Sequence, residues 1–287
     1  MSKVKSGFCG LIQELYGLEI KKDSLNNLYS EEAEYYSIYR DGEKIASFLM
    51  DLYSRENKKS GAWMSDYQSK FAYKETNNLP VAFIVCTFSK PSKEKPSLLT
   101  FDEVETFFHE MGHGLHHMLT VIDEPSASGI NGVVWDAVEL PSQFMEYFCI
   151  QPEVINKISA HYKTGEILSE ELLEKIKEEK NFMVSLGLLR QLEFSISDLE
   201  IYGSPEKDPY DVLKSVKEKV SVLETPKNSR FLNNFSHIFA GGYSAGYYGY
   251  KWADVLSADV YESFEENGVI CKKTADKFLQ TILSKGG

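Results

Sequence analysis

Residues 109–113 read His-Glu-Met-Gly-His. With about 1.5 Å of helical rise per residue, the two imidazoles lie on one face, about 6 Å apart along the axis. So placed, both can reach a single zinc ion. Glu110 stands on the adjoining part of that surface, where a carboxylate can reach a water without ligating the metal. That is the position a general base requires. The bland alternative is a helix with two ordinary histidines and a surface glutamate. Three features favour the metal. The helix is otherwise strongly apolar, so a polar face is costly without a use. Gly112 and Gly114 each weaken a helix by about 1 kcal/mol relative to alanine, and their small size lets another element come close. Residues 101–150 hold nine acidic side chains, four of the six histidines and no lysine or arginine, so no fixed cation competes with a metal.

A third ligand is needed. His117 lies about 12 Å along the axis from His109, too far to share an ion. His116 and His117 are therefore expected on the helix surface. Downstream, Asp136, Glu139 and Glu146 offer carboxylates. Asp136 and Glu139 are three apart and share a helix face; one can ligate while the other orients a histidine. Glu105, one turn before His109, is another candidate for that orienting role. Residues 237–252 interleave Tyr243, Tyr247, Tyr248 and Tyr250 with Gly241, Gly242, Gly246 and Gly249. Tyrosine hydroxyls can donate to a developing oxyanion, and glycines can form a hinge that brings them in. Aromatic core packing, with His237 an ordinary structural histidine, is the plain alternative.

These residues need elements to hold them. The periodicity predicts helices over 7–17, from 101 onward, and over 135–149, 152–163, 168–200, 209–222, 243–265 and 272–284. Thr100 and Glu103 have capping-box spacing, which sets the start of the histidine helix. Residues 33–53 read as a hairpin turning at Asp41-Gly42, and residues 80–88 as a strand. Residues 123–133 read as a loop. The expected fold is mainly α with a small N-terminal β-sheet, in a single domain over 1–287.

The chain has 287 residues, with 43 acidic and 31 basic side chains, a net charge of −12. Its 43% hydrophobic content is that of a globular protein, not a disordered one. The acidic balance argues against nucleic-acid and anionic-membrane partners. No run of about 18 apolar residues suggests a membrane span, and the first residues lack the pattern of a signal peptide. The four cysteines form no CxxC pair and read as buried thiols, which fits a cytoplasmic location.

Several stretches together resemble, in order and spacing, the thimet oligopeptidase family of zinc metallopeptidases, in particular its bacterial oligopeptidase A branch. They are Gly61-Ala-Trp-Met64, Leu79-Pro-Val-Ala82, Phe107 to His117, Ser128 to Gly132, Trp135 to Gln143, Leu189 to Phe194 and Phe235 to Trp252. The resemblance implies a zincin-type catalytic domain holding one zinc ion on His109, His113 and Glu139, with Glu110 activating the water. It implies that Tyr250 and Tyr243 stabilise the oxyanion and that His237 contacts substrate. Gly61 and Ala62 would pair with the backbone of a short peptide substrate. Gly241, Gly242 and Tyr247 would belong to a flexible loop that also touches it. Family members are longer, and their N-terminal half forms the far wall of a channel that admits only short peptides. The expectation is therefore a zinc-dependent endopeptidase catalytic half. The alternative is a fragment that binds zinc and peptide without turnover, completed by a partner half or self-associating through exposed apolar surface.

Overall fold

The computed structural model describes residues 1–226 and 228–287. Helix α1 (Ser2–Tyr16) precedes strands β1 (Glu19–Asp23), β2 (Glu34–Arg40), β3 (Glu43–Tyr53), β4 (Trp63–Gln68), β5 (Phe71–Tyr73), β6 (Thr76–Asn78) and β7 (Val81–Phe88). Five of these form one sheet in the order β1-β2-β3-β7-β4, while β5 and β6 make a small separate hairpin. The β3–β7 pair is parallel and the other pairs of the large sheet are antiparallel. The β2–β3 turn falls at Asp41-Gly42, with φ of 52° and 83°. Both central residues sit in the left-handed region, as the tight turn of a two-residue hairpin requires. Beyond the strand that the resemblance implies near Gly61-Ala62, realised as β4, the sequence did not mark β1 or the β5–β6 hairpin. These strands are short and largely polar, so their alternation is weak.

The rest is helical, so the fold is mainly α with a small mixed sheet near the N-terminus. Helix α2 (Phe101–Met118) begins at a complete capping box, with the Glu103 amide on Thr100 Oγ1 and the Thr100 amide on Glu103 Oε2. There follow α3 (Trp135–Val138), α4 (Leu140–Glu146), α5 (Pro152–Ile158), α6 (Glu170–Asn181), α7 (Val184–Gly203), α8 (Pro209–Val220), α9 (Phe231–Asn234), α10 (Ser236–Phe239), α11 (Gly249–Asn267) and α12 (Lys272–Phe278). Four predicted helices are shorter or broken. The 152–163 helix ends at Ile158, where Ser159 turns extended. The 135–149 segment breaks at Glu139, just before Pro141, whose missing N–H suits the first turn of a new helix. The 168–200 segment breaks at Met183, which adopts a left-handed φ of 51°. The 243–265 segment turns helical only at Gly249, because the glycines before it favour turns.

Helix α2 is central. Phe107 and Phe108 meet Phe8 of α1 edge-on at 5.5 and 5.0 Å between ring centres. Behind Gly114 lies Ile84 of β7, and behind Gly112 lies the Pro141-Ser142 backbone of α4. The helix is thus enclosed on several sides. This corrects the expectation for His116 and His117, which are not surface residues but buried, 4% and 0% exposed. His117 Nε2 lies 3.0 Å from the Gln68 carbonyl at the end of β4. Burial pushes the His116 pKa down to about 4, which keeps its ring neutral. A second apolar cluster gathers Ile201, Val212, Val216, Phe235, Ile238 and Tyr247 around α7, α8 and α10. Among the described residues no helix is long and apolar enough to cross a membrane.

Candidate metal centre

Helix α2 presents His109, Glu110 and His113 to a cleft of about 830 Å3. Opposite them, the break between α3 and α4 presents Glu139. Glu139 Oε2 lies 3.2 Å from His109 Nε2 and 3.1 Å from His113 Nε2. Each of the three side chains offers a ligand atom within 4.8 Å of the others. Two imidazoles and one carboxylate make the three-ligand set of a catalytic zinc site, which leaves one position open. This donor set fits the implied metal.

The electrostatics fit as well. Glu139 is 1% exposed. Its Oε2 accepts the Ser142 hydroxyl at 2.9 Å and its Oε1 accepts the Tyr243 hydroxyl. Burial alone would raise the Glu139 pKa, yet the two histidines hold it well below the usual carboxylate range. Burial would lower the His109 pKa, yet Glu139 and Glu146 hold it well above the usual value. Glu139 sets a negative charge where the Nε2 atoms of both histidines converge, a place that would suit a divalent cation.

His109 Nδ1 lies 2.6 Å from Glu146 Oε1. A carboxylate on the far nitrogen fixes the ring's tautomer and turns Nε2 toward the ligand position. Glu146, rather than Glu105 or Asp136, therefore orients this histidine. Glu105 is instead paired with Lys180, and Asp136 accepts the Tyr248 hydroxyl. The physical reason is the helix break at Glu139, which carries Asp136 away from α2 and brings the next helix, with Glu146, alongside it. The signal was available in the spacing, since Glu146 follows Glu139 by two helical turns. Glu146→Gln is expected to weaken zinc affinity about 10–100-fold with little loss of folded protein. Competitive chelator titration reads this, and unchanged affinity would deny Glu146 the orienting role.

Glu110 is 6% exposed and lines the same cleft. Burial raises its pKa, while the adjacent histidines and the Met64 backbone amide oppose that shift. Met64 belongs to β4, which lies at the edge of the sheet with one side unpaired. Gly61 and Ala62 lead into this strand at the cleft wall. Gly61 is fastened by two bonds with the Thr87 hydroxyl, at 3.2 and 3.1 Å.

Across the cleft, the rings of Tyr243 and Tyr250 stack at 4.9 Å. Burial first, and then the Glu139 charge, pushes both phenol pKa values far up, so both remain protonated donors. His237 lies 6.0 Å from Tyr243 and 6.2 Å from Tyr250, and burial lowers its pKa. Gly241 lines the cleft; Gly242, with a φ of 91°, instead backs onto the Trp135 ring. Tyr247 departs from the substrate-contact expectation. It is 8% exposed and packs in the second cluster against Phe194 and Phe235. One wall of the cleft, Ile130 to Val133, had no site role assigned from the sequence, although Ser128 to Gly132 carries part of the resemblance.

The profile of peptidase family M3 matches residues 1–287. Oligopeptidase A of Salmonella typhimurium is 45% identical and that of Escherichia coli 44%, each over the whole chain. Saccharolysin of Saccharomyces cerevisiae is 31% identical over 98% of it. The chain spans less than half the length of these relatives, 43%, 43% and 41% in turn. The match runs from the first residue to the last and includes every group described above, so the chain belongs to peptidase family M3.

Proposed function

We propose that the chain is the catalytic part of a zinc-dependent endopeptidase that hydrolyses short peptides in the cytoplasm. The observation that carries this reading is the convergence of His109, His113 and Glu139 beside Glu110, in a cleft bordered by an open strand edge. The names of the relatives support peptide hydrolysis, and the four unpaired cysteines support a reducing compartment.

The residues divide the work. The free side of β4 binds the substrate backbone as an added strand. Zinc, when bound by His109, His113 and Glu139, supplies a Lewis acid that acidifies water and polarises a carbonyl. Glu110 takes a proton from the attacking water, holds it on a carboxylate oxygen, and gives it to the leaving amine nitrogen. Tyr243 and Tyr250 donate to the carbonyl oxygen as it gains negative charge. His237, whose pKa is shifted down by partial desolvation, borders the same space and contacts the substrate.

The decisive experiment joins metal content to turnover. About one zinc per chain is expected, with hydrolysis of peptides abolished by a chelator and restored by added zinc. A fully active metal-free chain would end the proposal. A second reading, a half that needs a partner polypeptide for turnover, is favoured by the apolar surface around α6 and α7. Phe182, Val184 and Leu188 are 74%, 64% and 47% exposed there. Zinc binding without turnover, cured by the N-terminal half of a relative, would select it.

Tyr250→Phe is expected to lower kcat about 100-fold, the scale of one lost oxyanion donor, with KM nearly unchanged. Steady-state kinetics check this. A rise in KM at constant kcat would mean that Tyr250 binds substrate rather than the transition state.

A further inference from the structure

Asp198 sits on α7, fully buried, and the chemistry above does not use it. Its carboxylate faces the segment between Tyr243 and α11. Oδ1 accepts the Ala245 amide at 2.9 Å, and Oδ2 accepts the Tyr247 amide at 3.0 Å. The Gly246 amide between them donates instead to the Tyr243 carbonyl at 2.9 Å. Two N–H groups, one residue apart in a tight turn and both aimed at one carboxylate, form a nest, a backbone concavity suited to negative charge. Ala245 makes this turn at a φ of 55°, in the left-handed region that residues other than glycine avoid. Such a conformation persists only where its surroundings impose it.

Other bonds tie the upstream end. The Tyr243 amide donates to the His237 carbonyl at 3.0 Å, and the Ser244 hydroxyl to the Ile238 carbonyl at 2.7 Å. Trp135 packs 4.5 Å from the Tyr243 ring. Downstream, the Tyr250 carbonyl accepts Gln143 Nε2 of α4 at 2.8 Å. The glycine-rich stretch is thus not free throughout. At the exposed residues 240–242 the Ala240 and Gly241 amides share the Ser236 carbonyl at 2.7 Å, and the part from Ala245 onward is pinned to α7.

We infer that Asp198 is a positioning residue: its carboxylate, seated in the 245–247 nest, anchors the loop so that Tyr243 and Tyr250 face Glu139. The catalytic consequence rests on the peptidase reading above. The anchor itself does not.

Hydrogen exchange of the unmodified chain gives the first test. The Ala245 and Tyr247 amides should exchange at least 100-fold more slowly than that of Gly242; equal rates would overturn the anchor. Asp198→Asn keeps the shape but sets an NH2 group against one of the amides. It should speed exchange at both positions at least tenfold and lower kcat at least tenfold, with KM within twofold. A merely structural role would act independently of the tyrosines. The kcat penalty of Asp198→Asn should therefore shrink at least threefold in the Tyr250→Phe background, and full additivity would overturn the positioning role. Should Asp198→Asn not fold, the exchange rates of the unmodified chain still decide. A chain without turnover would end the peptidase reading and leave a second measurement. Asp198→Asn should then weaken zinc affinity at least threefold through the lost Tyr243–Glu139 bond, and unchanged affinity would overturn the inference.

Discussion

Glu110→Gln is expected to keep its zinc and lose about 100- to 10,000-fold in peptide hydrolysis, the usual contribution of a positioned general base. The substitution preserves size and replaces one carboxylate oxygen by an NH2 group. Glutamine cannot take a proton from water, so the step that makes the nucleophile fails. The three proposed ligands are untouched, because Glu110 points into the cleft beside them and not at their meeting point. Folding should not suffer. Glu110 is buried with no lysine or arginine paired to it among the described residues, and glutamine keeps its size and an oxygen for the Met64 amide, so removing the desolvated charge should cost little. The variant should therefore match the parent in zinc content and melt at nearly the same temperature. Near-native turnover in a zinc-loaded Glu110→Gln protein would remove Glu110 from the reaction.

The parts of this site that could be read from sequence are those governed by local rules. The four-residue spacing of His109 and His113, the Thr100–Glu103 capping box and the Asp41-Gly42 turn each depend on neighbours in the chain. What escaped depends on where elements break and what covers them. His116 and His117 were expected at the surface because a helix usually has a wet side. Helix α2 has little of one, being packed by α1, β7, α4 and the loop after it. Gly129 presses on His117 so closely that a Cβ there would lie 2.6 Å from His117 Nδ1. Glu105 has the right spacing on α2 to reach His109, but Lys180 of α6 takes it. No local pattern marks that competition. Nothing local marks Asp198, because the amides it holds lie 47 and 49 residues away.

Gly112→Ala is expected to disable the metal centre without touching a ligand. A Cβ at this position would lie 2.5 Å from the Pro141 carbonyl oxygen and 2.6 Å from the Ser142 Cα. Both are backbone atoms, so no rotamer change relieves the clash, and α4 must move outward from α2. Glu139 directly precedes α4 and Glu146 ends it, so the same movement carries the third proposed ligand and the His109 orienting group away. Two effects oppose each other in stability. Alanine improves helix propensity by about 1 kcal/mol, while overpacking costs about 1–3 kcal/mol. The net change is a modest loss, but zinc affinity should fall at least tenfold, since even displaced supporting groups cost about 10–100-fold. Two sibling variants separate the causes. Gly114→Ala meets only the tips of the Ile84 and Met118 side chains, which can turn aside, and Gly10→Ala on α1 meets nothing within 4 Å. Gly10→Ala should raise the melting temperature, Gly114→Ala should change little, and neither should alter zinc binding by more than a few-fold. If Gly112→Ala bound zinc as tightly as Gly114→Ala, the close approach of α4 to α2 would have no part in building the site. The expected order instead makes the absence of a side chain at position 112 as necessary to the centre as the histidines on either side of it.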